Sequence, residues 1–140
     1  MTILQDIESI VGKKGLIIGD DVFNRKAGIW IDDGIRADAI VRPKDSFELA
    51  KVLSICNKHN QAVIPHGGLT GLAEGAITQQ GQIAISSERL TAIEEVDEIG
   101  RTMTVEAGVP LEKAQQEAEK YNLMLPVDLG ARGSCTVGGN

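Results

Sequence analysis

The most informative stretch of this 140-residue chain is Val63-Ile64-Pro65-His66-Gly67-Gly68-Leu69-Thr70-Gly71-Leu72. A short apolar run ends in a proline and opens into a loop with three glycines and a hydroxyl. Glycine lets a ligand approach the backbone closely, and successive N–H groups in such a loop can form a nest for an anion. The stretch therefore predicts a site for a phosphate or diphosphate, with a plain glycine-rich turn as the alternative.

The spacing of the glycines excludes the two commonest phosphate motifs. A P-loop needs a lysine directly after its second glycine, and none follows the glycines here. The Rossmann fingerprint needs Gly-x-Gly-x-x-Gly, whereas positions 67 to 71 read Gly-Gly-x-x-Gly. Because no lysine or arginine stands in this stretch, a bound phosphate would be matched by backbone N–H groups and the Thr70 hydroxyl. A side chain at Gly68 or Gly71 is therefore predicted to weaken binding.

A second stretch rich in glycine and hydroxyl groups occupies residues 125–140 and reads Leu-Pro-Val-Asp-Leu-Gly-Ala-Arg-Gly-Ser-Cys-Thr-Val-Gly-Gly-Asn. Together the two stretches resemble the FAD-binding domain of the vanillyl-alcohol oxidase (PCMH) type of flavoenzyme. The nearest resemblance is to the D-lactate dehydrogenase, glycolate oxidase and D-2-hydroxyglutarate dehydrogenase branch. That branch runs from a strand through Pro-x-Gly-Gly-x-Thr-Gly-Leu to a later Pro-x-Asp-x-Gly-x-x-Gly-Ser-x-x-x-Gly-Gly. Arg42-Pro43 resembles the entry to that domain, so the resemblance covers about Asp38 to Asn140.

The resemblance implies an FAD-dependent enzyme that oxidises a D-2-hydroxy acid such as lactate, glycolate or 2-hydroxyglutarate, with hydride passing to flavin N5. In relatives with covalent flavin the attaching histidine follows the glycine pair, and Leu69 stands there in this chain. The FAD is therefore expected to be non-covalent. The family continues into a separate substrate domain, so the chain is expected to be an N-terminal piece of a larger enzyme, inactive on its own and without catalytic residues. A flavin reductase of cell-wall precursor synthesis and a non-redox nucleotide- or phosphate-binding module remain alternatives.

The residues expected to contact FAD come from both stretches, and two of their neighbours have a second interpretation. His66 is expected either to add positive charge or a ribose hydrogen bond, or to face solvent. Cys135 lies among the predicted donors but lacks a His–Asp arrangement in sequence, so it is interpreted as a packing residue. The predicted cofactor-binding residues are Pro65, His66, Gly67, Gly68, Leu69, Thr70, Gly71, Leu72, Pro126, Gly130, Gly133, Ser134, Thr136, Gly138, Gly139 and Asn140.

Composition limits the other classes of function. A formal net charge of −6 argues against nucleic acid as the main partner, and the sequence has no apolar run long enough to span a bilayer. Two cysteines in different contexts indicate a reduced, cytoplasmic protein rather than a disulfide scaffold. Peripheral attachment to the inner membrane is the alternative for the full-length enzyme. His59 and His66 lack partners at metal-ligand spacing, so no metal site is predicted.

The predicted fold is α+β: a small parallel βαβ subdomain, then the start of a mainly antiparallel sheet with flanking helices. Residues 1–37 are assigned to a helix and an irregular connector pinned by Trp30, with proximity to the cofactor as the alternative. Residues 38–72 form the βαβ unit and its phosphate loop, and residues 73–140 form an incomplete second subdomain. An open sheet edge is expected to cause self-association. Periodicity and capping residues predict helices at 3–11, from 45 to 57–60 and from 110 to about 121, and strands at 16–18, 39–41, 62–64, 82–86, 92–96 and 102–107. The last three strands are assigned to the antiparallel sheet, with a turn at 98–101. Asp45 and Glu48 are predicted to form a capping box, and the buried face of the second helix is predicted to consist of Leu49, Val52, Leu53 and Cys56.

Overall fold

A computed structural model describes residues 2–140 of the chain. The helices are α1 (Ile3–Val11), α2 (Asp20–Phe23), α3 (Ser46–Lys58) and α4 (Leu111–Glu119), with 3₁₀ turns at Lys13–Gly15 and Val137–Gly139. The strands are β1 (Leu16–Ile18), β2 (Ala39–Val41), β3 (Val63–His66), β4 (Ile83–Ser86), β5 (Ile93–Asp97) and β6 (Thr102–Val105). Within these residues no helix is long and apolar enough to cross a membrane.

The larger sheet has four strands in the order β1-β2-β4-β3. Strands β2 and β3 each pair in parallel with β4, and β1 pairs antiparallel with β2. The predicted parallel relation of β2 and β3 is confirmed, but β4 lies between them. The prediction that residues 82–86 join the antiparallel sheet is wrong. All four residues of β4 are buried, as expected of a central strand covered on both faces.

One face of this sheet is covered by α1 and α3. Helix α1 begins at Thr2, whose hydroxyl accepts the Gln5 N–H while the Gln5 side chain accepts the Thr2 N–H, the reciprocal pattern of a capping box. In α3, Val52 and Cys56 are buried as predicted, and burial raises the pKa of the Cys56 thiol. Leu53, predicted on the same face, is instead 42% exposed.

The N-terminal end of α3 differs from its predicted capping box. Asp45 accepts the Glu48 N–H at 2.8 Å, as predicted. The Glu48 carboxylate, however, accepts the N–H of Lys44 rather than that of Asp45. The helix therefore begins where the sequence predicts it, but the Glu48 carboxylate accepts a hydrogen bond from the residue before the predicted donor.

The other face is covered by the connector, residues 20–37. Val22 and Ile35 are buried there against Ile40 and Ala84 of the sheet. The prediction that Trp30 pins this segment is wrong, because its side chain is 79% exposed. Aliphatic side chains at the two ends of the connector hold it to the sheet instead.

Strands β5 and β6 form a separate antiparallel pair. The predicted turn at 98–101 is confirmed, and Asp97 Oδ1 accepts the N–H groups of Ile99 and Gly100. Helix α4 starts directly after Pro110 and buries Leu111, Ala114 and Ala118. Self-association stays a prediction; in the described residues β5 and β6 pair only with each other, which leaves each strand one unpaired edge.

Candidate functional site

The two glycine-rich stretches are in direct contact. A β-carbon added at Gly68 would lie 2.0 Å from the Ser134 carbonyl oxygen, and one at Gly67 would lie 2.8 Å from Thr136 Oγ1 and 3.1 Å from Gly139 Cα. Real β-carbons do not approach backbone atoms as closely as 2.0 Å, so only glycine fits at 68, and a side chain at 67 would require Thr136 and Gly139 to shift. Gly68 is therefore required by the packing of one stretch on the other.

A cleft of about 340 Å³ opens where the two stretches meet. This volume lies within the range of small-ligand sites, about 300–1,000 Å³. Neither lysine nor arginine is among its lining residues, and Glu74 is its one charged side chain. The lining residues are Ala27, Pro65, Gly67, Gly68, Leu69, Thr70, Gly71, Ala73, Glu74, Gly75, Ala76, Thr136, Gly138, Gly139 and Asn140.

The glycine loop, residues 67–76, contributes most of its residues to the lining of this cleft and contains unused backbone donors. Within residues 2–140, none of the N–H groups from 67 to 73 donates a hydrogen bond to a protein atom. The same segment has bends but no helix or strand, and Leu69 adopts a positive φ of 55°. Adjacent free N–H groups are what an anion nest requires.

Thr136 adds a side-chain group to the same cleft. The residue is only 6% exposed, yet its hydroxyl oxygen has no hydrogen-bond partner among the described residues. A buried hydroxyl without a partner costs about 1–3 kcal/mol. Thr136 lines the cleft beside Gly67 and Gly139, and a ligand would reach its covered oxygen only after a small shift of those neighbours.

His66 does not face solvent, as one of its two interpretations required. Its ring is 3% exposed, and Nε2 lies 2.9 Å from the Ala76 carbonyl oxygen, so the ring donates a hydrogen bond there as the Nε2–H tautomer. Burial lowers the pKa of this histidine and outweighs the opposite effect of the Ala76 hydrogen bond. The direction of this shift favours the neutral ring over the charged one.

Several other predicted residues lie away from the cleft wall. Leu72 is 68% exposed and is not part of the lining, and Ser134 contributes its carbonyl oxygen behind Gly68. Pro126 instead lines a groove along α4 with Asp128 and Arg132. Gly130 and Gly133 are also absent from the cleft lining.

The sequence reasoning missed one part of the wall. Ala27 and residues 73–76 line the cleft although they were not among the predicted contacts. For residues 73–76 a signal was present, because the small residues continue from Gly71 through Ala73 and Gly75 to Ala76. Ala27 carried no such signal, because it reaches the cleft only through the fold of the connector.

An ion-pair network lies just beyond β4. Glu88 accepts from Arg25 at 2.7 Å and from Arg42 at 2.8 Å. Burial raises the pKa of Glu88, but the hydrogen bonds and charges of the two arginines outweigh it and leave the pKa lowered. The network joins the connector, which carries Ala27 to the cleft, to the end of the central sheet. Among residues 2–140, no three His, Cys, Asp or Glu side chains come together to share a metal ion.

Comparison with known families decides what kind of domain this is. Residues 37–140 match the model of the FAD binding domain family. The chain belongs to that family. It is 42% identical over 102 residues to a D-2-hydroxyglutarate dehydrogenase of Xanthomonas citri pv. viticola, covering 73% of this chain and 22% of the relative. It is 30% identical over 139 residues to a D-2-hydroxyglutarate dehydrogenase of Stutzerimonas stutzeri, covering 99% of this chain and 30% of the relative.

Solved structures support the fold. An alkyldihydroxyacetonephosphate synthase superposes with a TM-score of 0.87 at 17% identity, covering 98% of this chain and 28% of the other. A p-cresol methylhydroxylase with substrate bound superposes with a TM-score of 0.77 at 18% identity, covering 95% and 27%. The predicted α+β fold of the PCMH type is confirmed. The chain thus spans less than a third of the length of each of these relatives.

Proposed function

We propose that the cleft between the glycine loop and residues 134–140 holds the diphosphate of a non-covalently bound FAD. The observation that carries the proposal is the row of N–H groups from 67 to 73 that donate to no atom of residues 2–140, in a loop that lines the same cleft as Thr136, whose hydroxyl also lacks a partner among those residues. Both kinds of donor gain hydrogen bonds when an anion enters. Membership of the FAD binding domain family supports FAD as the ligand.

The charge of the ligand has to be matched by these donors. No basic side chain lines the cleft, and burial lowers the pKa of the neighbouring His66, which disfavours a charge there. Hydrogen bonds to an ionised group contribute about 1.5–3 kcal/mol each. Three or four such hydrogen bonds suffice for micromolar binding after the free-energy costs of ordering and desolvating the ligand and the loop are subtracted.

The residues present fit the cofactor. Gly67 to Gly71 would present their N–H groups, and Thr70, Thr136 and the Asn140 amide would add side-chain donors. Leu69 stands where relatives with covalent flavin carry the attaching histidine, so nothing at that position can form a bond to the ring. Bound FAD would supply the redox chemistry by accepting a hydride, while the chain binds and orients it.

We propose further that the whole enzyme oxidises a D-2-hydroxy acid, with the hydroxy-acid site outside residues 1–140. The relatives from Xanthomonas citri and Stutzerimonas stutzeri are both named D-2-hydroxyglutarate dehydrogenases. The two cysteines of the chain are free, which supports a reducing, cytoplasmic location. The test of the substrate class is reduction of flavin absorbance by D-2-hydroxyglutarate, D-lactate and glycolate in the natural protein that contains this sequence. No bleaching with any of the three would reject the hydroxy-acid assignment.

The cofactor proposal is tested by titrating the 140-residue chain with FAD by calorimetry. The only tryptophan, Trp30, follows Ala27 of the cleft wall by three residues and is exposed, so quenching of its emission is a second signal. Saturable binding with quenching of the Trp30 emission is expected. If the titration gave no heat of binding and the emission did not change, this chain would be rejected as an FAD site.

Acid precipitation tests how the flavin is attached. The flavin should stay in solution, because no covalent bond joins it to the protein, and flavin in the pellet would reject non-covalent binding.

A further inference from the structure

His66 is held on its backbone side by the sheet. Its carbonyl oxygen accepts the Ser87 N–H at 2.9 Å and the Ser87 hydroxyl at 3.3 Å. As the last residue of β3, it pairs with Ser86 of β4. The residue is therefore a fixed point at the carboxyl end of the central strands, directly before the glycine loop begins.

The ring of the same residue reaches the far end of that loop. Nε2 donates to the Ala76 carbonyl oxygen at 2.9 Å, across a separation of ten residues in sequence. Between these two points the loop packs on residues 134–135 at Gly68, but it has little support from backbone hydrogen bonds. The one backbone hydrogen bond that begins and ends near it joins the Ile77 N–H to the Glu74 carbonyl oxygen.

We propose that His66 is a positioning residue, whose ring fastens Ala76 to the end of β3 and so keeps the free N–H groups of the glycine loop turned toward the cleft. The ring is absent from the cleft lining, whereas Ala76 is part of it. His66 lines an adjoining apolar pocket instead, so its effect on a ligand in the cleft would pass through the loop. The consequence for affinity rests on the proposed function, because it assumes that FAD is the ligand; the effect on the loop does not.

A matched pair of variants separates positioning from other roles. In His66→Gln the side-chain amide nitrogen can stand near the place of Nε2, whereas in His66→Asn it reaches only as far as Nδ1. Both variants are neutral, polar and smaller than histidine. Only the first can restore the bond to Ala76, so a difference between them reports on that bond.

The first measurement is ¹⁵N relaxation of the FAD-free chain. In the parent and in His66→Gln, residues 68–75 should have order parameters near those of rigid backbone, about 0.85; in His66→Asn they should fall toward about 0.6. Residues 83–86 of β4 serve as the internal control and should not change. Equal order in all three proteins would overturn the proposal.

The second measurement is FAD affinity, with thermal midpoints recorded alongside. His66→Gln should bind within about threefold of the parent and His66→Asn about tenfold more weakly, the effect of losing one net hydrogen bond. Equal weakening in both variants with an ordered loop would mean that the ring contacts FAD, and would overturn the proposal. If the parent binds no FAD but the loop loses order only in His66→Asn, the positioning role of His66 is supported and the proposed function is rejected.

Discussion

The two ends of the Gly-Gly-x-x-Gly segment use glycine for different reasons. A β-carbon at Gly68 would collide with the Ser134 carbonyl oxygen, whereas one at Gly71 would have no other protein atom within 4 Å. Glycine at 68 is thus a requirement of the fold, whereas glycine at 71 lines the cleft and is not required by protein packing. The comparison shows that loss of binding in a glycine variant identifies a ligand contact only where stability is unchanged.

The largest expected effect is the loss of stability on substitution of Gly68, which packs against residues 134–135. Gly68→Ala should lower the free energy of unfolding by about 1–3 kcal/mol or more, because the added methyl group forces residues 134–135 away. Urea denaturation measures it, and FAD binding should be lost with it. Gly71→Ala is the matched control and should change stability by less than about 0.5 kcal/mol. If the two variants were equally stable, the packing of the two stretches would not need glycine at 68.

The open side should show the reverse pattern. Gly71→Ala places a methyl group at the wall of the cleft, so FAD binding should weaken by about tenfold while stability holds. Gly130→Ala is the control, because its β-carbon would also meet open space but outside the cleft lining. Calorimetric titration of both variants measures the difference. Equal affinities would show that the ligand does not approach Gly71.

Thr136 belongs to the second glycine-rich stretch and tests the same distinction between packing and binding. In Thr136→Val, stability and FAD affinity should change in opposite directions. Thr136→Val removes a buried hydroxyl that has no partner, so the free chain should be as stable as the parent or more so by up to about 1 kcal/mol. FAD binding should weaken by about tenfold, since a charge-assisted bond is lost. Thr136→Ser retains the hydroxyl and should bind like the parent. A Val variant with full affinity would remove Thr136 from the site.

Much of the fold followed from local signals in the sequence. The Thr2 cap, the apolar period of α1 and the positive-φ Gly12 bound the first helix where predicted. The turn before β6 and the alternation of exposed and half-buried residues along that strand were also readable. These features depend on neighbours within one turn or one hairpin. The family resemblance added what local signals cannot, the pairing of two distant stretches.

The errors arise where distant parts of the chain meet. The order of the strands cannot be read from the apolar run of β4, because such a run suits either kind of sheet when it is buried. His66 gave no sequence signal for its bond to Ala76, which exists only once the loop returns to the end of β3. Ala27 lines the cleft because Val22 and Ile35 seat the connector on the sheet, a packing result rather than a motif.

The smallest expected effect concerns pH and returns to the buried side of the glycine loop. Because burial holds the pKa of His66 below its ordinary value, the unfolded chain takes up a proton at higher pH than the folded chain does. Below about pH 6.5 the unfolded state therefore binds more protons, and the free energy of unfolding falls as the pH decreases. The stabilisation is present in full above that pH. The stability lost by about pH 5.5 should be roughly 1 kcal/mol or less. Urea denaturation across this range should show a steeper decline for the parent than for His66→Gln, which cannot titrate there. Parallel curves would mean that the ring takes up its proton in the folded chain as readily as in the unfolded one, contrary to the direction in which burial shifts its pKa.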